Sequence, residues 1–274
     1  MGIQSLIVIF WSLLGPWQYL AIAISYLPRA LARLLQDEPL QSLSISRIQN
    51  AWFSAFWARA GTGIRQRNGP RVTALLEGRV SKAQVVDTTL VAPAGGIVLD
   101  IGPGSGIWVD LYAKYMAREG NDKAGSTSNL KVYGVEPNKE AHAELLTRVH
   151  QAGLDGTYEI VPAGIQSISS IEVSGIDGRT SKIEKGSVDC IVSLLCLCSI
   201  PEPEKNIAEL YKYLKKGGRW YVFEHVQAKS NWFMRFYQEK TLRQAGPWES
   251  VDLGQPLEEL WHATVPHVLG TLTK

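Results

Sequence analysis

Three glycines at alternate positions, Gly102, Gly104 and Gly106, come after an apolar run that starts at Ile97 and ends in Asp100, and they precede a segment with helical spacing. A short apolar run ending in glycines reads as a buried parallel strand. Glycine then lets the backbone bend sharply and approach a ligand where any Cβ would collide. The N–H groups that open the following helix point at whatever occupies the turn. A dinucleotide turn needs Gly-x-Gly-x-x-Gly, which would place its third glycine at position 107, where the chain has Ile107. Two acids are placed to meet a ligand. Asp100 lies just before the turn, and Glu136 closes the apolar run Lys131–Val135. A carboxylate at the tip of a second strand accepts two hydrogen bonds in the manner a ribose diol needs. His225, beside Glu224 at the end of a later apolar run, is the best candidate general base; a histidine that merely caps a strand end is the other reading.

These residues need a sheet to bring them together. Apolar runs at Ile97–Asp100, Lys131–Val135, Tyr158–Val161, Val188–Leu195 and Trp220–Glu224 alternate with helical patterns at Ile107–Arg118, Lys139–Ala152 and Glu202–Leu214. Alternating β and α units predict an α/β fold with a doubly wound, mostly parallel sheet. Ligands then sit beyond the carboxyl ends of the strands, where Gly164 follows the third run and Leu194 is the last residue but one of the fourth. Gly120–Asn129 reads as a polar insertion.

Upstream, Gly2–Pro28 carries no charged residue, whereas Arg29 and Arg33 follow at once. A charge-free run of this length, with Trp11, Trp17, Tyr19 and Tyr26 as interfacial aromatics, predicts an N-terminal membrane helix with the remaining chain on the cytosolic side. Gly15-Pro16 leaves a span and a hairpin both open. Ser46–Ala60 places Ile48, Trp52, Phe53, Phe56 and Trp57 on one helical stripe, as a helix packed on the domain, a cover for the substrate pocket, or a helix lying on the bilayer. A further short helical piece falls near Val72–Leu76. The chain divides into a membrane anchor (1–35), a helical linker or cover (36–95) and a catalytic domain (96–274). A net charge of +2 over 274 residues argues against nucleic acid as partner. Cys190, Cys196 and Cys198 lie in one apolar segment, which suits buried small side chains better than a disulfide framework or a metal site.

The alternating glycines after an acid resemble motif I of the class I S-adenosylmethionine-dependent methyltransferases, a Rossmann-like fold. The resemblance implies S-adenosylmethionine as cofactor. Asp100 and the N–H groups around Gly102, Gly104 and Gly106 would meet its amino-acid tail, the former through water or the backbone. Glu136 would hold the ribose, Gly164 would lie at the adenine, and Leu194 beside the methyl group. Many methyltransferases place an acid at the adenine; here none is near, so backbone groups serve or that hydrogen bond is absent.

More narrowly, Gly186-Ser-Val-Asp-Cys-Ile-Val, Leu195-Cys-Leu-Cys-Ser-Ile, Leu214-Lys-Lys-Gly-Gly-Arg and Tyr221-Val-Phe-Glu-His-Val226 resemble the membrane-anchored methyltransferase-like-seven family. That resemblance implies an anchor in the endoplasmic reticulum membrane, a cytosolic catalytic domain and a small hydrophobic thiol as methyl acceptor. Pro103 stands where the family usually has cysteine or glycine, and the segment around 238–248 is shorter than the family pattern. A thiol needs no strong base, in keeping with a chain that shows no catalytic dyad. An O- or N-methyltransferase of a lipophilic secondary metabolite is the alternative within the enzyme class. A non-catalytic membrane or lipid-droplet protein that keeps the fold is the alternative outside it.

Overall fold

Apolar runs punctuated by glycine become strands because both their faces are covered, so every side chain in them gains by leaving water. The computed structural model describes residues 17, 18, 20–37, 39, 43–114, 130–174, 178–225, 246–256 and 267–274. Its strands are β1 (Val80–Ser81), β2 (Gln84–Val85), β3 (Ile97–Ile101), β4 (Lys131–Val135), β5 (Tyr158–Val161), β6 (Glu172–Ser174), β7 (Thr180–Lys182), β8 (Val188–Leu194), β9 (Leu214–His225), β10 (Ser250–Gly254) and β11 (His267–Thr273). Its longer helices are α1 (Leu27–Asp37), α2 (Ile45–Leu76), α3 (His142–Gln151) and α4 (Pro203–Tyr213).

Seven strands form one sheet in the order β10-β11-β9-β8-β3-β4-β5. The five strands read from the sequence run parallel, and β11 pairs antiparallel with both β9 and β10. From β3 the chain passes to β4 on one side and later returns to β8 on the other. The strand order therefore reverses between β3 and β8, and a crevice opens at their carboxyl ends.

Pleating sorts the side chains onto two faces. Val98, Val132, Tyr221 and Phe223 enter one core with Leu75, Leu111 and Tyr112. Leu99, Ile101, Tyr133, Val135, Trp220 and Val222 enter the other with Leu210 and Ile165. Asp100 shares the parity of Val98 and so turns toward Tyr112 and Tyr158. Gly134 is needed beneath Tyr158, whose ring and hydroxyl lie where a Cβ at 134 would stand.

Two expectations about the amino-terminal third are corrected. The helical pieces at 46–60 and 72–76 are one helix of 32 residues, with Pro70 inside it and Ser44 capping it by accepting from Arg47 N–H at 3.2 Å. Gly61, Gly63, Gly69 and Pro70 weaken helix propensity, but packing overrides it: Val72, Ala74, Leu75 and Leu76 are buried against the sheet.

The membrane anchor is the second correction. Residues 1–16 lie outside the described residues, and among those described no helix is long and apolar enough to cross a membrane. Instead, α1 and the start of α2 form an amphipathic helix hairpin. Ala30 and Leu34, one turn apart on α1, are buried with Ala51 of α2, and Trp52 Nε1 donates to Ala23 O at 2.5 Å. The fold is thus an α/β Rossmann-like mixed sheet without a membrane helix among its described elements. The endoplasmic-reticulum placement and the membrane as partner rested on that anchor and fall with it.

Candidate active site

A cavity of about 460 Å³ opens at the carboxyl ends of β3, β4, β5 and β8, at the reversal point of the sheet. Gly102, Gly104, Glu136, Gly164 and Leu194 all lie on its wall. The turn after β3 is hooked to β4 by Gly102 N–H, which donates to Val135 O at 3.0 Å. Gly102 has φ +60°, and a Cβ there would stand 2.7 Å from that of Cys196, so turn and opposite wall can meet only at glycine. Gly104 has open space where its Cβ would be, and its N–H donates to Glu136 Oε2 at 2.9 Å. Gly106 completes the turn with its N–H donating to Pro103 O at 2.9 Å.

Glu136 is the hub of the site. Its other oxygen, Oε1, accepts from Asn138 N–H at 2.8 Å. Asn138 Nδ2 in turn donates to Asn50 O at 3.1 Å and to Ser54 Oγ at 3.0 Å, which ties α2 to the tip of β4. His142 Nε2 lies 2.8 Å from Glu136 O and carries the proton of that bond. Burial pushes the Glu136 carboxyl above the ordinary glutamate range, opposed by the two backbone N–H groups. Each carboxylate oxygen offers about two lone-pair directions, so two accepted bonds leave room for two more from a diol.

Asp100 is placed differently from Glu136. It is buried beneath the turn, accepts from Tyr158 OH at 2.9 Å and, of the glycine-turn acids, is the one off the main cavity wall. It lines a second void of about 10 Å³ with Gly102, Pro103, Gly106 and Trp108, about the room of one water molecule. Burial, opposed by the tyrosine hydroxyls, raises its carboxyl to about 7.

The far wall comes from α2 and the loop after β3. Phe53 and Trp57 face the cavity with ring centroids 5.9 Å apart, and Phe53 stays half exposed at the mouth. Trp108 adds a third ring, held by the Arg65 guanidinium 4.9 Å above it, and Arg65 also pairs with Asp110 at 2.6 Å. Ile107 reaches the cavity because α2 passes close at Gly61, where a Cβ would stand 2.8 Å from Ile107 Cγ2. Among the described residues, Glu136 is the one Asp, Glu, Lys, Arg or His on the wall.

His225 is not brought to the cavity. It lies at the end of β9, paired in register with His267, and the two rings are 4.8 Å apart. Residues that sequence reasoning misses take part instead. Gln166 lines the cavity with its amide folded over Gly164, 2.7 Å from where a Cβ there would be. It supplies a donor and an acceptor at the place where the sequence offers no acid. Asn138 follows Glu136-Pro137, and its capping of Glu140 N–H at 3.1 Å is the one local signal. Helical spacing groups Phe53 and Trp57 with Trp52 on a single stripe, but Trp52 turns to the hairpin. Cys196 is buried on the cavity wall, Cys190 is buried in the core and Cys198 is exposed. Of the shortened segment, residues 238–245 lie outside the described residues, whereas Trp248 packs edge-on to Tyr211 at 4.7 Å.

The family model described as a methyltransferase domain matches residues 77–264. A thiol S-methyltransferase of Homo sapiens, TMT1A, is 36% identical over 58 residues, covering 21% of this chain and 24% of the relative. A phosphatidylethanolamine N-methyltransferase of Cereibacter sphaeroides is 24% identical over 131 residues, covering 48% of this chain and 51% of the relative. The chain thus spans about half or less of these curated relatives. The crystal structure of the 4+2 cyclase SpnF superposes with a TM-score of 0.51 at 17% identity, covering 76% of this chain and 82% of that one, a likeness of fold. The narrower resemblance to a membrane-anchored, thiol-methylating family is therefore corrected. The thiol relative aligns over a quarter of its length, the longer of the two matches is to an N-methyltransferase, and the anchor is not found among the described elements.

Proposed function

The chain belongs to the methyltransferase-domain family and is an S-adenosylmethionine-dependent enzyme, and we propose that it methylates nitrogen or oxygen on a small lipophilic molecule. The observation that carries this reading is the single cavity in which the glycine turn and Glu136 meet an aromatic wall carrying no second charge. Its volume, about 460 Å³, lies in the range of small-molecule sites. The longer relative, an N-methyltransferase by name, supports nitrogen as acceptor.

The residues fit the cofactor. Glu136 would take the ribose hydroxyls on its free lone pairs while Gly104 and Asn138 fix its plane. Gln166 would meet the adenine edge, and the Gly102–Gly106 turn would pass beside the amino-acid tail, with Asp100 reaching it through the one-water void. When bound, S-adenosylmethionine would supply a sulfonium methyl whose carbon bonds to a nitrogen or oxygen lone pair in line as its bond to sulfur breaks, with S-adenosylhomocysteine as leaving group and the acceptor's proton passing to solvent. Leu194 and Cys196 shape the wall next to that methyl, and Phe53, Trp57 and Trp108 exclude water and orient the acceptor. No histidine, lysine or second carboxylate among the described residues lines the cavity, which favours an acceptor that arrives with a free lone pair, such as an uncharged amine, over an alcohol that needs a base.

Titration calorimetry with S-adenosylmethionine, followed by release of S-adenosylhomocysteine against matched lipophilic amines, phenols and alcohols, tests the proposal. Binding with turnover confined to amines or phenols is expected. Binding with transfer only to a different acceptor atom would remove the acceptor class and leave the cofactor site.

A further inference from the structure

Glu224 is a buried carboxylate that the reaction above does not use, and it lies directly behind the cavity wall. It occupies the penultimate position of β9, is 3% exposed and is absent from the cavity lining. Both its oxygens are spent on the segment after β8. Oε1 accepts from Cys196 N–H at 3.1 Å and lies 3.4 Å from Cys196 Sγ, while Oε2 accepts from Leu197 N–H at 3.1 Å. Burial raises its carboxyl to about 7, opposed by these two N–H groups, the Cys196 thiol and the Ser193 hydroxyl, which itself accepts from Trp220 Nε1 at 3.0 Å.

That segment needs holding. Leu195 has φ +61°, a left-handed conformation that a bulky side chain adopts under strain and keeps only where its surroundings over-determine it. The restraints are Leu195 N–H donating to Phe223 O at 2.8 Å and, on the next two N–H groups, the Glu224 carboxylate. Leu194, Leu195 and Cys196 all face the cavity, and Cys196 is the side chain that closes on Gly102. The strained segment thus joins both walls of the site, and one buried carboxylate pins it.

We propose that Glu224 is a positioning residue: it touches no ligand, but by gripping the N–H groups of Cys196 and Leu197 it holds Leu194–Cys196 in the shape that receives the methyl-bearing end of the cofactor. The inference rests on reading the cavity as the cofactor site. Glu224→Gln keeps the volume but replaces one acceptor oxygen with an amide NH₂, which cannot accept from either N–H.

Hydrogen exchange and calorimetry with S-adenosylmethionine on the full chain test this. In Glu224→Gln the amides of Cys196 and Leu197 should exchange at least about tenfold faster while those of β3 and β4 keep their protection, and affinity should fall about tenfold. Glu224→Asp, which keeps the carboxylate at shorter reach, should recover part of both effects. Protection lost evenly across the sheet would make Glu224 structural only and overturn the proposal, as would exchange and affinity unchanged in Glu224→Gln. If the unmodified chain fails to bind S-adenosylmethionine, the cofactor reading fails, and the exchange result still reports on the grip itself.

Discussion

The two halves of the cavity are built in opposite ways. On the cofactor side, backbone N–H groups, Glu136 and Asn138 form a closed set of hydrogen bonds between segments already fixed by the sheet. On the acceptor side, Phe53, Trp57 and Trp108 make an apolar wall whose largest contributor, α2, belongs to the chain before the first sheet strand. Directional bonds allow one ligand geometry, whereas ring surfaces accept any apolar body of suitable size. On the function proposed above, one half holds the cofactor and the other leaves room for acceptor choice. Asn138 is the joint between them, since it donates to α2 while its N–H holds Glu136.

Removing Glu136 should break the contrast most severely. Glu136→Ala deletes the proposed ribose contact and leaves the N–H groups of Gly104 and Asn138 without their acceptor. Two charge-assisted bonds at roughly 1.5–3 kcal/mol each imply at least about a hundredfold weaker S-adenosylmethionine binding by calorimetry. Unaltered affinity would separate the ribose from this carboxylate. Trp57→Ala should have the converse profile. Cofactor affinity should stay within about threefold while KM for the acceptor rises about tenfold, because the ring contributes apolar area to one ligand only. Equal loss of both affinities would show that the halves are not separable.

The same contrast explains what is legible in the sequence. Buried parallel strands are short apolar runs closed by glycine, so β4 and β5 have the limits expected of them, β3 runs one residue past Asp100, and strand position puts Gly102, Gly104 and Glu136 on the cavity wall. The acceptor wall has no such punctuation. Gly61, Gly63, Gly69 and Pro70 read as interruptions, whereas packing on the sheet carries α2 straight through them. Gln166 and Asn138 act through side chains that fold back on a neighbouring turn, which spacing cannot reveal. The apolar run before Arg29 reads as a membrane helix from its lack of charge alone, and residues 1–16 of it lie outside the described residues. Ala23 accepting from Trp52 and Leu34 buried with Ala51 are tertiary facts that composition does not carry.

A pH experiment sharpens the comparison from beneath the glycine turn. Burial raises the Asp100 carboxyl from 3.8 to about 7. The folded chain therefore holds a proton there at pH values where the unfolded chain has lost it. Its stabilising contribution is full below 3.8 and is lost as pH rises through about 7. Glu224, raised from 4.5 to about 7, acts in the same direction. The melting temperature of Asp100→Asn relative to the unmodified chain should accordingly climb by a few degrees from about pH 5 to about pH 8, since the amide cannot ionise. A difference that shrinks with rising pH would mean that Asp100 is ionised and satisfied in the folded chain, and that its place is on the ligand side of the turn.

The smallest expected effect concerns Gln166, where the directional half is thinnest. Its amide is the one side-chain hydrogen-bonding group described beside Gly164, and it is neutral, so its loss costs a single uncharged bond rather than a charge-assisted pair. Gln166→Ala should weaken S-adenosylmethionine binding only about threefold. Discrimination is the more telling readout. An amide presents both a donor and an acceptor, so it can pair with the amino group and N7 of adenine, whereas inosine presents two acceptors on that edge, one of which the amide leaves unmet in either orientation. The unmodified chain should prefer the adenosyl form over its inosyl analogue, and Gln166→Ala should lose that preference while Trp57→Ala keeps it. If Trp57→Ala lost it too, base recognition would pass through the aromatic wall, and the division between a directional cofactor half and a permissive acceptor half would have to be redrawn.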